Sequence, residues 1–342
     1  MKALRYLGPE KLEVQEVPVP EPGKGEVLVK VKGCGICGSD VHGYYGLTGR
    51  RIPPMTMGHE FSGEIAGLGQ GAEKFKVGDR VIVQPIDFCG SCENCQKGMT
   101  MLCLNKRFFG VLTTDGAMAE YVAVPEKLLY PVPENSDCYI GALAEPYAVA
   151  YGAVEKAGDL EGKNVLIIGA GMIGACVLQL AKLKNPAKLI VSDLSDARLK
   201  TALELGADAV INPKNEDYME ALSRLTDGAM IDTSIECVGV QASANQAIKC
   251  LKVGGTAVWV GMSQKEMTIN MQDVVCSARR VLGSFNYTHE EFGQVAKIVT
   301  SGRLATDKLI TKVVSLEEAV EVFPDIHNRP DDYLKVIIDP TL

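Results

Sequence analysis

The sequence predicts an α/β protein in which a doubly wound parallel sheet follows a smaller β-rich region, and two observations carry that expectation. From Asn164 onward, short apolar runs alternate with helical patterns, the texture of repeated strand–helix units. The apolar run 165–168 ends in Gly169-Ala170-Gly171-Met172-Ile173-Gly174, which leads into the helical stretch 173–183. Four consecutive apolar residues read as a strand buried on both faces. A strand, a glycine turn and a helix start gather several backbone N–H groups and a positive dipole end at one point, which favours a phosphate. The three glycines give a tight turn, room for a pyrophosphate and close helix–strand contact.

A glycine pattern of this kind is weak evidence alone, and a second mark strengthens it. The next apolar run, 188–193, ends in Asp193, 19 residues after Gly174. That spacing suits an acid that holds an adenosine ribose. Further strands are expected near 208–212, 230–236, 255–261 and 281–285, with helices over 196–205 and 241–251.

Before this region the chain reads as β-rich. Val27, Val29 and Val31 alternate with Leu28, Lys30 and Lys32, a half-buried strand. Glycine turns recur at 22–25, 67–71, 77–79 and 115–116, and short strands between such turns suggest a sandwich or open barrel. Domain boundaries are placed at 1–145, 146–285 and 286–342; the last segment ends in the strand pattern 334–338, which can return to the first domain.

Length and composition narrow the function. A chain of 342 residues can bury a large core and divides naturally into two domains. Its net charge of −8 argues against nucleic acid as the main partner, because phosphate neutralisation needs a basic surface. The first residues lack the apolar core of a secretory signal. The most apolar window, 165–181, is short for a bilayer and is interrupted by glycines, so no membrane partner is expected. Eleven cysteines in such a chain point to a reducing compartment, the cytoplasm, and to metal binding before disulfides. Cys138, Cys176, Cys237, Cys250 and Cys276 stand singly among apolar neighbours, where a small buried hydrophobe is the default.

The other cysteines are clustered. Cys89-x2-Cys92-x2-Cys95-x7-Cys103 supplies four thiols within fifteen residues, which suits a closed tetrahedral zinc with Zn–S bonds of about 2.3 Å. An iron–sulfur cluster is the alternative, but its usual fourth-cysteine spacing and proline are missing. A second, dispersed set comprises Cys37 in Gly35-Ile36-Cys37-Gly38-Ser39-Asp40-Val41-His42, then His59-Glu60, then Glu145-Pro146. One Cys, one His and a carboxylate from separate segments are what an open, catalytic zinc uses.

Together these residues resemble the zinc-dependent medium-chain alcohol dehydrogenases, and within them the sorbitol (polyol) dehydrogenase branch. The resemblance covers essentially the whole chain. It implies a GroES-like catalytic domain, a Rossmann domain that binds NAD, and two zinc ions, one catalytic and one structural. It places Ile173, Arg198, Val260, Gly261, Met262, Phe285, Asn286 and Tyr287 against the cofactor, beside Gly169, Gly171, Gly174 and Asp193. It also gives Ser39 and His42 the role of a proton relay. Association into a homodimer or homotetramer is implied through the dinucleotide-binding domains, with residues 281–285 as an available edge strand.

The sequence departs from the Cys2His zinc pattern, since Glu145 stands where many alcohol dehydrogenases have a second cysteine. Zn²⁺ with Cys37 thiolate, neutral His59 and one carboxylate is neutral overall. Binding Glu60 and Glu145 together would make the site anionic and blunt the metal as a Lewis acid. One carboxylate is therefore expected on the metal at a time, and either glutamate fits. Zinc lowers the pKa of bound water from about 15.7 to about 7, and a comparable shift for an alcohol is worth up to roughly 12 kcal/mol. The resulting alkoxide expels a hydride to the nicotinamide.

The expected reaction is thus NAD-dependent oxidation of a secondary alcohol on a polyol-like small molecule, with a sugar-alcohol phosphate, 2,3-butanediol or threonine as alternatives. Gly43 follows His42 where sorbitol dehydrogenases carry tyrosine, and Asn286 precedes Tyr287 where they carry arginine, so sorbitol itself is not implied. Arg50 and Arg51 offer either a phosphate contact or a solvated surface. From other classes, a zinc-ribbon nucleic-acid-binding redox sensor is opposed by the acidic charge, and a cofactor-binding protein with lost chemistry by intact Cys37, His59 and Glu145.

Overall fold

The alternation of Val27, Val29 and Val31 becomes the strand Glu26–Gly35, with all three valines fully buried. Each such burial stabilises the fold by roughly 1.5–3 kcal/mol. The strand pairs antiparallel with Glu60–Leu68, Tyr121–Pro125 and, at its C-terminal end, Lys335–Ile338. These belong to a seven-stranded sheet that also holds Leu129–Pro131, Arg80–Val83 and Ile310–Val314. Lys335–Ile338 lies between Glu26–Gly35 and Ile310–Val314. A three-stranded sheet of Lys11–Glu16, Lys2–Gly8 and Met55–Thr56 packs with it over one core that includes Leu4, Tyr6, Phe61, Ile65 and Phe323.

This computed structural model describes residues 1–342 and divides them into two compact units, Met1–Glu145 with Thr288–Leu342, and Pro146–Tyr287. The second unit is a six-stranded parallel sheet in the order Ala209–Ile211, Lys188–Ser192, Asn164–Ile168, Ile231–Glu236, Leu251–Trp259, Arg280–Gly283. That is the doubly wound order with its switch point beside Asn164–Ile168. All six expected strands are present. The fifth starts earlier than its apolar pattern suggests, because the Gly254-Gly255 pair is taken up in a register shift between Leu251 and Thr256.

The glycine turn shows why its last position carries no side chain. A Cβ on Gly174 would overlap the carbonyl of Gly169, so the helix Met172–Lys182 can start only with glycine there. No helix is long and apolar enough to cross a membrane.

Candidate functional site

Sheet register brings three of the dispersed candidate ligands, Cys37, His59 and Glu60, together. Gly35 is paired with Glu60, so the chain leaving one strand at Cys37 and the chain entering the next at His59 meet at the same sheet end. Ile337 is also paired with Gly35, which sets Lys335 alongside Cys37. Beyond the strand, the helix Gly38–Tyr44 starts with Cys37 as its N-cap. Its third helical residue closes the cap: the Cys37 backbone N–H donates to Asp40 Oδ2 at 3.2 Å.

One ligand atom each of Cys37, His59 and Glu60 lies within 4.8 Å of the others, and His59 and Glu60 are buried. His59 Nδ1 is buried without a hydrogen-bond partner, 3.5 Å from Asp40 Oδ1. Burial alone would push the His59 imidazole toward its neutral form, but Asp40 and the Cys37 sulfur draw it well above the ordinary histidine range. Burial likewise raises the Asp40 carboxyl, and His59 and Arg51 outweigh it, holding Asp40 below the usual carboxylate range. A cluster of half-buried thiol, buried imidazole and buried carboxylates that favours positive charge in this way fits Zn²⁺. Phe108 stands edge-on to the His59 ring, with centroids 5.7 Å apart.

Glu60 has a partner that sequence reasoning missed. Lys335 Nζ donates to Glu60 Oε2 at 2.5 Å and to the Ile36 carbonyl at 3.0 Å, and both side chains are buried. Glu145 is buried at the start of the helix Ala144–Ala157, outside the tight group of Cys37, His59 and Glu60. Ser39 and His42 share one face of the helix Gly38–Tyr44, three residues apart. Burial and the nearby His327 push the His42 imidazole down from its ordinary value. The two arginines separate: Arg50 is exposed, whereas Arg51 is buried against Asp40 and Ser39. Only Arg50 of the pair is placed to meet a phosphate in solution. Nothing in the spacing signalled Asp40, Arg51 or Lys335, although Asp40 lies inside the Cys37 segment.

The second constellation is compact. Sγ–Sγ distances are 3.5 Å for Cys103–Cys89, 3.9 Å for Cys92–Cys103 and 4.0 Å for Cys89–Cys95. The edge of a tetrahedron with Zn–S bonds of about 2.3 Å is about 3.8 Å. All four thiols are free of disulfides. Backbone N–H groups of Cys92 and Asn105 already point at the sulfurs of Cys89 and Cys103, at 3.4 Å each.

In the second unit, Asp193 directly follows the strand Lys188–Ser192 and takes two backbone donors, Ala170 N–H on Oδ2 at 2.6 Å and Ser195 N–H on Oδ1 at 2.8 Å. It therefore ties the glycine turn to the second strand. Gly169 and Gly174 are buried and Gly171 is partly open, with the Arg198 guanidinium 4.0 Å from where a Gly171 Cβ would stand. Ile173 and Gly261 are half-buried, Val260 is buried and Met262 is exposed. Of the last group, Phe285 and Asn286 are half-buried, while Tyr287 is fully buried and packs as a core residue.

Residues 23–134 match the alcohol dehydrogenase GroES-like domain, and residues 173–301 match the zinc-binding dehydrogenase family. The chain is 31% identical to a sorbitol dehydrogenase of Bacillus subtilis (strain 168), over 99% of this chain and 97% of that one. It is 33% identical to the (R,R)-butanediol dehydrogenase of the same organism, over 99% of this chain and 100% of that one. Among solved structures, a protein of Sinorhizobium meliloti 1021 described as a zinc-binding dehydrogenase and bound to NADP superposes with a TM-score of 0.92. It is 35% identical, with 99% of each chain covered.

Proposed function

We propose, for a chain that belongs to the zinc-dependent medium-chain alcohol dehydrogenases, the oxidation of a secondary hydroxyl on a polyol-like small molecule with NAD as hydride acceptor. The protein is an NAD- and zinc-dependent oxidoreductase. The observation that carries the substrate reading is the buried convergence of Cys37, His59 and Glu60 with a second carboxylate, Glu145, elsewhere in the same unit. A vicinal diol can offer one hydroxyl to the metal and a second to a carboxylate.

When bound, zinc polarises the substrate hydroxyl and NAD takes the hydride. Cys37, His59 and Glu60 would hold the catalytic metal, with Glu145 as the alternative carboxylate. Lys335 engages one oxygen of Glu60, which draws charge from that carboxylate and keeps the site from becoming anionic. Ser39 receives the hydroxyl proton. His42, kept neutral by its surroundings and exposed at the helix surface, passes that proton on. Cys89, Cys92, Cys95 and Cys103 hold the structural zinc.

The unit Met1–Glu145 with Thr288–Leu342 is the catalytic domain, and Pro146–Tyr287 binds NAD. Gly169, Gly171 and Gly174 would receive the pyrophosphate and Asp193 the ribose, with Ile173, Arg198, Val260, Gly261, Met262, Phe285 and Asn286 around them, while Tyr287 is buried in the same unit. Homodimer or homotetramer formation is supported by the edge strand Arg280–Gly283. Val253 on the neighbouring strand, and Met271 and Val275 on the helix just before the edge, are exposed apolar residues. A monomer by light scattering at micromolar concentration would refute it. The free thiols and acidic charge support a cytoplasmic protein without nucleic-acid partners.

The test is a screen of polyols, polyol phosphates, 2,3-butanediol and threonine, read as NADH formation. Highest kcat/KM on an open-chain polyhydroxylated compound is expected. Better turnover of simple monofunctional alcohols than of every polyol would overturn the substrate reading.

A further inference from the structure

Arg51 is a buried cation at the centre of the helix-start cluster, with its side chain 2% exposed. Its Nε and Nη2 donate to Asp40 Oδ1 at 3.2 and 2.7 Å, and Nη2 also donates to Ser39 Oγ at 3.1 Å. Nη1 donates to the Arg50 carbonyl at 3.3 Å. Asp40 in turn accepts the Cys37 N–H on Oδ2 and faces His59 with Oδ1. One guanidinium thus fixes a carboxylate shared by two zinc-ligand candidates and also the hydroxyl of the first relay residue.

The sequence has made room for this arrangement. The aliphatic stem of Arg51 crosses the helix Gly38–Tyr44 at Gly43, where a Cβ would overlap Arg51 Cγ. That gives a physical reason for glycine directly after His42.

A hydroxyl has two acceptor sites and one donor. With Arg51 filling one acceptor of Ser39 Oγ, a single acceptor is left for an incoming proton, and the Ser39 O–H must point away from the guanidinium. Building on the alcohol-oxidation reading above, we propose that Arg51 is the positioning residue that gives the Ser39 relay its direction. The substrate O–H bond breaks as its proton forms a new O–H bond on Ser39 Oγ. The original Ser39 proton leaves at the same time for the next acceptor, water or the His42 imidazole. Arg51 keeps all its protons throughout, so the chain is unchanged once His42 has released its proton to solvent.

The test compares the zinc-loaded full-length protein with Arg51→Lys and Arg51→Met. Lysine keeps a cation beside Asp40 but cannot fork onto Ser39, so folding is preserved even where methionine leaves Asp40 uncompensated. For Arg51→Lys, kcat should fall by about tenfold to a hundredfold, at or below the lower end of the roughly hundredfold to ten-thousandfold that positioned proton transfer contributes, because Ser39 itself remains. Zinc content and KM should stay within about twofold, because ligand and substrate contacts are untouched. The solvent deuterium isotope effect on kcat should rise while the effect of deuterating the reacting C–H falls, since proton transfer has become limiting. Wild-type kcat and isotope effects in a folded, zinc-loaded Arg51→Lys would overturn the proposal, as would a kcat loss that merely tracks lost zinc. A wild-type protein inert toward every alcohol would fail the functional reading itself, a different result from an active wild type with indifferent variants.

Discussion

Lys335 Nζ lies 2.5 Å from Glu60 Oε2, with the two side chains 2% and 1% exposed. Residues 275 positions apart in sequence are joined because Lys335–Ile338 returns to the strand that ends beside Cys37. Removing one partner of a buried ion pair leaves the other charge uncompensated, at a cost of about 3–5 kcal/mol. Lys335→Met should therefore destabilise the zinc-free protein by about that amount. Zn²⁺ supplies a replacement cation to Glu60, so the rise in Tm on adding zinc should be larger in Lys335→Met than in wild type. Glu60→Gln in the same chain should restore much of the loss. Wild-type zinc-free stability in Lys335→Met would show that the pair does not hold this end of the sheet.

The four-cysteine lobe should act on stability alone. Four thiolates at tetrahedral spacing leave no open position for a substrate oxygen. Cys95→Ser should lower the Tm and the yield of folded protein, while kcat per folded, catalytically metallated chain changes less than about twofold. Metal analysis should give two zinc ions per wild-type chain and one in the variant. A stable Cys95→Ser protein with kcat abolished would contradict the structural role.

Much of this was legible in the sequence wherever the signal is local. The central strands Asn164–Ile168 and Lys188–Ser192 announce themselves as apolar runs, because a sheet covered on both faces needs no polar alternation. The glycine turn and the four-cysteine lobe are likewise short-range patterns. The helix Ala144–Ala157 was not legible: its alanines are buried on nearly every side, so no polar face marks the period. The charge partners of the site were hidden for another reason. Arg51 beside Arg50 reads as a surface pair, for a phosphate or for solvent, and only the tertiary fold turns one of them inward onto Asp40. Lys335 sits in a strand pattern that would place a lysine at the surface, and a carboxylate 275 positions away overrides it.

Stability should fall on mild acidification through His289. Its Nδ1 meets Gln84 Oε1 at 2.6 Å and the Tyr130 hydroxyl at 3.0 Å, and the Phe88 ring lies 4.9 Å from its own. Burial lowers the His289 pKa from its ordinary value, and Lys127 and Lys74 lower it further. The folded protein therefore binds this proton more weakly than the unfolded chain, where histidine titrates near about 6.5. Above that pH both states are neutral and the group costs nothing. Below it the unfolded chain takes the proton first, so stability is lost as the pH falls toward the folded value. Between about pH 7.5 and about pH 5 the wild type should lose more Tm than His289→Gln. Parallel losses in the two proteins would remove His289 from the account.

Cofactor choice should turn on Asp193. Both of its oxygens are already fixed, one by Ala170 N–H at 2.6 Å and the other by Ser195 N–H at 2.8 Å. A carboxylate has about four acceptor sites, so each oxygen still has one for a ribose hydroxyl. The same two hydrogen bonds prevent the carboxylate from swinging away from a 2′-phosphate. That phosphate would set about two negative charges beside Asp193, and like-charge contact costs several kcal/mol, hence a preference of at least about a hundredfold for NAD. Arg198 is the group able to soften this, since its guanidinium lies over the glycine turn, and a relative 35% identical binds NADP on the same fold. Asp193→Ala should narrow the gap, mainly by raising KM for NAD, and it should also loosen the turn by freeing Ala170 N–H. Adding Arg198→Ala to wild type should widen the gap by weakening NADP more than NAD. Equal wild-type kcat/KM for the two cofactors would mean that the ribose does not rest on Asp193.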